Sequence, residues 1–321
     1  MSVSKLLLQL SATLLLSAAS MSVCMADTVD ELLLINISQL ITPINGNPIT
    51  VRIDDVSFDG NVVIGRFTDF SKTSGRKVFR YTKHSGMEEI ADLVGISIDT
   101  LRVSADGAVI WGAKYDLSKG TTSGIFRWTR ARGLQEFGDL GRRSMSIAAA
   151  SDSGEFVAGS FLTSPAPIYH AFRYSEAIGF EDLGAMHGDS AFAQGVSSDG
   201  QLILGHVQFQ DKRASRAFLY SKIEGSLDVG TYAGNWTSAT GVSRDRSVIV
   251  GNYCSGGFYY LTACTRSPFV YTKKIGIQAS PKIPGSSIVG PKVSPDGKML
   301  SGSYIDSKYE SYIFTARINL D

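Results

Sequence analysis

"DVSFDGNVVIG", Asp55 to Gly65, sets a serine two residues before Asp-Gly, then three β-branched residues and a glycine. Asp-Gly is turn chemistry: the carboxylate accepts local backbone N–H groups and glycine tolerates positive φ. Five further segments follow the same pattern: "RVSADGAVIWG" (102–112), "AASDSGEFVAG" (149–159), "GVSSDGQLILG" (195–205), "GVSRDRSVIVG" (241–251) and "KVSPDGKMLSG" (292–302). Their serines, Ser57, Ser104, Ser151, Ser197, Ser243 and Ser294, are spaced by 47, 47, 46, 46 and 51 residues. The chain is a repeat protein, and its period governs every other assignment.

A second landmark keeps the same beat. Phe79, Phe126, Phe172, Phe218, Phe269 and Phe314 sit in "VFRY", "IFRW", "AFRY", "AFLY", "PFVY" and "YIFT". The turn residues Asp59-Gly60, Asp106-Gly107, Asp199-Gly200 and Asp296-Gly297 take a structural role, since each pair recurs at the repeat period. Ser153-Gly154 replaces them in the third unit. The fifth has Asp245-Arg246, without glycine, and its turn is expected to differ in type. After each turn comes a short strand ending at Gly65, Gly112, Gly159, Gly205, Gly251 or Gly302, where glycine admits a close neighbouring backbone. A second strand carries the aromatic landmark, and "GLQEFGDLG" or "GFEDLGAM" supplies an edge strand. Four short strands per unit, with no amphipathic helix after residue 40, predict an all-β fold. The expectation is one β-propeller over residues 27–321, with six four-stranded blades. "ELLLINIS" and "NPITVRID" each offer a strand to pair with the last unit, closing the ring and removing a sheet edge.

The first 26 residues have one cation, Lys5, an apolar Leu/Ala stretch, and small residues at Cys24 and Ala26 before Asp27. That is the layout of a cleaved secretory signal peptide. Acylation at Cys24 is disfavoured by the valine before it. Retention as a membrane anchor is disfavoured by Gln9, Ser11, Ser17 and Ser20 within a short apolar run. The mature protein is therefore expected in the periplasm, at the cell surface or outside the cell. Cleavage leaves Cys254 and Cys264, and an even cysteine count in an oxidising compartment predicts a disulfide. Closing this short loop would stabilise the fold by roughly 3 kcal/mol. The extra length of the fifth unit falls between Gly251 and Phe269, so the pair clips an inserted loop that carries Phe258, Tyr259 and Tyr260. A long loop on a rigid scaffold is a candidate interaction surface. Packing of its aromatics back onto the unit is the alternative.

These motifs resemble those of the bacterial extracellular HAF-repeat proteins. The His-Ala-Phe signature occurs at His170-Ala171-Phe172, followed by Arg173-Tyr174. Ile125–Trp128, Arg216–Tyr220 and Val78–Tyr81 match it in part, and "LGAMHGDSAFAQGVSSDGQLILG" is similar to that family's link between landmarks. The resemblance covers residues 55–321. It implies an exported protein and assigns no catalytic residue. The chain departs from the family's autotransporter forms, since it is expected to leave no room for a membrane barrel. "SPDGK", Ser294–Lys298, also resembles the turn of TolB-type propeller repeats.

The sequence shows no catalytic, cofactor-binding or metal-ligating constellation. His84, His170, His187 and His206 are scattered without metal-ligand spacing, and no nucleophile elbow or phosphate loop occurs. Lys+Arg number 31 and Asp+Glu 30, and loss of Lys5 with the signal leaves them balanced. Balance disfavours nucleic acid, whose binding rests on phosphate neutralisation. "GRKVFRYTK" (75–83) and "RWTRARG" (127–133) are the densest basic stretches and suit solvated faces or an anionic glycan or lipid headgroup. The sequence thus favours a non-catalytic exported binding protein whose partner is a protein or glycan, with peripheral envelope association. The alternatives are a glycan-active hydrolase or lyase with an axial site, and a purely structural envelope component.

Overall fold

A computed structural model describes residues 32–36, 49–69, 76–93, 96–140, 142–165, 167–210, 214–232, 236–254, 266–280, 287–305 and 311–319. The signal segment, Phe258, Tyr259, Tyr260 and Cys264 lie outside the described residues. β1 (Leu32–Asn36) precedes the repeats. The first unit holds β2 (Ile49–Val56), β3 (Val62–Asp69), β4 (Arg76–Thr82) and β5 (Gly86–Glu89). The second holds β6 (Ile98–Val103), β7 (Val109–Asp116), β8 (Thr121–Thr129) and β9 (Gly133–Gly138). Next come β10 (Arg143–Ala150), β11 (Phe156–Leu162), β12 (Tyr169–Ser175) and β13 (Gly179–Gly184). The fourth unit has β14 (Ser190–Val196), β15 (Leu202–Phe209), β16 (Ala214–Ser221) and β17 (Gly225–Gly230). The fifth has β18 (Trp236–Val242), β19 (Ile249–Cys254), β20 (Arg266–Thr272) and β21 (Gly276–Ala279). The sixth has β22 (Ser287–Val293), β23 (Met299–Ile305) and β24 (Ser311–Arg317).

The turn between the first two strands of a unit is built around its shared serine. Ser57 Oγ donates to Asp59 Oδ1 at 2.6 Å and accepts the Val62 N–H at 2.9 Å, while Asp59 Oδ1 also accepts the Asn61 N–H. Ser104, Ser197, Ser243 and Ser294 make the same two contacts. Gly60, Gly107, Gly154, Gly200 and Gly297 hold φ between 68° and 74°. Arg246 takes φ 62° and donates its N–H to Ser243 O, as Gly60 does to Ser57 O. The fifth turn therefore keeps the common geometry, correcting the expectation of a different type. Side-chain hydrogen bonds of Ser243, Asp245 and Ser247 frame the turn in which an arginine takes the left-handed region that glycine occupies elsewhere.

The two landmarks meet across the sheet. Gly65 pairs with Phe79, Gly112 with Phe126, Gly159 with Phe172, Gly205 with Phe218, Gly251 with Phe269 and Gly302 with Phe314. A Cβ at Gly65 or Gly302 would stand 2.8 Å from the paired phenylalanine ring. The six rings are buried, and at Gly65, Gly112, Gly159, Gly251 and Gly302 the paired ring fills the space of the missing side chain, whereas at Gly205 the backbone of Phe192 and Ala193 does. These glycines lie inside the second strand, which runs several residues further, and not at its end as the sequence pattern suggested.

Hydrogen bonding among the described residues gives four sheets, where separate four-stranded sheets for all six units were expected. The first three units form one four-stranded sheet each. The last three join into a twelve-stranded sheet. The joins are single parallel pairs, Ser215 with Trp236 and Arg266 with Ser287, where the third strand of one unit touches the first strand of the next. Within that sheet the remaining pairings are antiparallel and stay inside a unit, except that β1 pairs with β24. "ELLLINIS" thus supplies the last unit's fourth strand, and "NPITVRID" becomes the first strand of the first unit.

Candidate functional site

The first strands of the six units face one another around a common cavity of about 200 Å³. Every unit contributes to its wall, from Asp55 and Arg102 through Ala149 and Gln194 to Thr240 and Lys292. The wall owes its chemistry to a repeated irregularity. Each first strand carries a bulge, at Asp54, Asp99, Ala148, Gln194, Thr240 and Gly290-Pro291. A bulge turns a side chain away from the strict in-out alternation of a strand. In four units it stands three residues before the shared serine, and Asp54, Ala148, Gln194 and Thr240 all line the cavity. Sequence reasoning missed these positions. Their constant offset from the serine was the available signal.

The acids on the wall are engaged inside the protein. Asp54, buried, takes a two-pronged contact from Arg66: Nε to Oδ2 at 2.8 Å and Nη2 to Oδ1 at 2.5 Å. Arg66 also donates to Ile98 O of the second unit at 2.6 Å. Asp55 accepts the Val103 N–H at 2.9 Å and pairs with Lys292 Nζ at 3.0 Å. Lys292 further donates to Val56 O at 2.9 Å, so the sixth unit is tied to the first. Asp152 accepts the Ser198 hydroxyl. Arg102 donates Nε to Ala148 O and Nη1 to Leu101 O. Burial raises the Asp99 carboxyl above its ordinary range, against the pull of Arg66, Arg102 and Arg52. Among the described residues no three His, Cys, Asp or Glu side chains are grouped to hold a metal.

One end of the cavity is aromatic. His206 stacks on Phe192 with centroids 5.0 Å apart and meets Trp236 edge-on, while Arg266 lies over the Trp236 ring at 5.5 Å. His206 Nδ1 and Ser238 Oγ are 3.1 Å apart. Burial, helped by Arg266, pushes the His206 pKa down to about 3, so the imidazole is neutral at physiological pH. Asn252, 4% exposed, has a buried Oδ1 without a hydrogen-bond partner among the described residues. Cys254 is fully buried at the end of β19, and Arg266 begins β20. The strands that lead into and out of the inserted loop thus stand at the rim of the cavity. His170, by contrast, is on a strand face, with Nδ1 2.9 Å from Asp182 Oδ1.

No protein-family model matches the chain, and no curated protein matches it. Solved structures do. TolB from Acinetobacter baumannii aligns with a TM-score of 0.53 and 12% identity over 77% of this chain, which spans 57% of that protein. The putative TolB from Agrobacterium tumefaciens gives 0.52 at 10% identity, covering 92% of this chain and all of that one. The β-propeller domain of the trilobed protease from Pyrococcus furiosus gives 0.51 at 9% identity, over 81% and 80% of the two chains. The fold is a β-propeller. At such identities the likeness extends to the fold alone. The cavity is the propeller's axial channel, and no helix among the described residues is long and apolar enough to cross a membrane.

Proposed function

We propose that this propeller is an exported, non-catalytic binding protein that receives its ligand at the channel wall beside Asn252 and Arg266, with the segment between Cys254 and Cys264 as part of the interaction surface. The observation that carries the proposal is the state of the channel's acids. Asp54 and Asp55 are neutralised by Arg66 and Lys292, and Asp152 is held by a hydroxyl, so none is poised as a paired acid and base. At about 200 Å³ the channel is smaller than usual small-molecule sites. A ligand engages it by inserting a tip, and the loop supplies the remaining contact. The lining residue Asn252 offers that tip an amide whose buried Oδ1 has no partner among the described residues.

Export rests on the charge and hydropathy layout of residues 1–26, and membership of the HAF-repeat group on the motifs at 125–128, 170–174 and 216–220. The bridge Cys254–Cys264 belongs to the same proposal, supported by the bonded state of Cys254. Closure of the ring belongs to the same proposal, supported by the β1–β24 pairing and the Lys292–Asp55 contact. The partner is a protein or a glycan of the envelope or of a host surface. The test is deletion of residues 255–265, with retention on whole envelopes and on glycan arrays as the measurement. Lost retention with an intact fold is the expected result. Unchanged retention, together with polysaccharide turnover that depends on channel residues, would overturn the proposal in favour of an axial hydrolase or lyase.

A further inference from the structure

The arginine after the landmark phenylalanine occurs in three units only. Arg80, Arg127 and Arg173 follow Phe79, Phe126 and Phe172, whereas Leu219, Val270 and Thr315 stand there in the other three. Arg173 shows the complete local arrangement. Its Nε and Nη2 donate to Glu181, its cross-strand neighbour, and its Nη1 donates to Gly200 O in the next unit's turn.

The first two units depart from that arrangement in different ways. Arg80 faces Glu88 across the strands, but Glu88 Oε2 accepts Arg130 Nη2 of the second unit at 2.5 Å. Arg80 is left with a 3.5 Å contact from Nε to Gly107 O. Burial, and then the nearby Arg130 charge, lower its pKa against the opposing pull of Glu88. Arg127 faces Gln135, which carries no charge. The carbonyl equivalent to Gly107 O and Gly200 O is Gly154 O, and the Trp111 indole N–H occupies it at 2.8 Å. Arg127 lies against the Trp111 ring and donates Nη1 to Glu176, and its buried Nε has no partner among the described residues.

A groove of about 760 Å³ opens at this place, on the end of the propeller that carries the Ser-Asp turns. Four arginines line it, Arg80, Arg127, Arg130 and Arg132, against Glu155 and Glu176. The protein as a whole is near neutral, so this positive excess is local. We propose that the groove binds an acidic peptide segment of a partner protein, seating its carboxylates on Arg80, Arg127 and Arg132. Guanidinium forks match carboxylates in geometry and charge. The Arg130–Glu88 and Arg127–Glu176 pairs show the contact the groove already makes with this chain's own acids. A sugar would need an open aromatic face. Trp128 is 9% exposed and its indole N–H is committed to Asp92, which favours a peptide.

The experiment measures fluorescence anisotropy of labelled hexaglutamate with the full chain at low and physiological salt. Binding should weaken several-fold as salt screens the charges. Arg80→Gln combined with Arg132→Glu should weaken it at least tenfold, while Lys274→Glu, on the exposed surface of the fifth unit, should bind as the parent does. Arg132 is exposed, so Arg132→Glu alone decides the matter if the double variant unfolds. Absence of hexaglutamate binding, indifference to Arg132→Glu, or tighter binding of trigalacturonate than of hexaglutamate would each overturn the proposal. Loop deletion should leave this binding unchanged, so it stands or falls apart from the channel-wall site.

Discussion

Replacing Ser243 by alanine removes two contacts from a buried turn. The Val248 N–H loses the Oγ that accepts it at 3.0 Å, and Asp245 loses a hydroxyl donor at 2.6 Å. Val248 is 1% exposed, so its N–H is left buried without that partner, at a cost of about 1–3 kcal/mol. Asp245 is exposed and keeps the Ser247 N–H and hydroxyl, so the second loss is the smaller one. The total expected is roughly 2–4 kcal/mol. Ser151→Ala is the internal comparison. Ser151 also accepts an N–H, from the half-buried Phe156 at 3.1 Å, but its hydroxyl meets only the neutral Ser153 at 3.2 Å. It should cost less, by about 1 kcal/mol, the difference between a charge-assisted and a neutral hydrogen bond. Urea unfolding of both variants at pH 7 and pH 3 measures the gap. The hydrogen bond from Ser243, then those from Ser247, hold the Asp245 carboxyl below its ordinary value of 3.8. Its stabilisation is present above about pH 4 and is lost as pH falls through the lowered value. The gap should therefore shrink at pH 3. Equal costs at pH 7, or a gap that widens on acidification, would refute this account of the turn.

Gly159→Ala should destabilise by about 1–3 kcal/mol or more, because the added Cβ meets the Ser146 carbonyl oxygen and the Phe172 ring. Gly60→Ala has open space around it and a φ of 71°, so backbone strain alone should cost roughly 1–2 kcal/mol; thermal melts of the two compare steric with conformational cost. His206 has its pKa pushed down to about 3 in the folded protein, against 6.5 ordinarily. The unfolded chain then takes up a proton first as pH falls below 6.5, so stability should drop by roughly 2 kcal/mol by pH 5. Unfolding at pH 7, 6 and 5 checks this, and His206→Phe should flatten the slope. Intact mass with and without reduction, under alkylation, should differ by the two hydrogens of a Cys254–Cys264 bridge, and Cys254→Ser should leave the propeller folded.

Spacing alone carried the repeat, the turn chemistry and the all-β class, because a residue such as Ser57 acts on partners two and five positions away. Those contacts are local, and any chain that repeats them repeats the turn. The pairing of Gly65 with Phe79 was half legible: both landmarks were visible, but the register that sets ring over glycine is made between strands. Arg246 shows the limit of residue preference, since it takes the positive φ that glycine takes in the other turns, where a turn of different type was expected. The bulges that turn Asp54 and Gln194 toward the axis share an offset from the serine but no residue type, so the sequence marked the place without marking the bulge. The merging of three units into one sheet leaves no compositional trace, since it depends on single contacts such as Ser215 with Trp236. The channel was least legible of all. Asp55 meets Lys292 across 237 residues of chain, and a charge pair at that separation exists only after every intervening unit has taken its place around the axis.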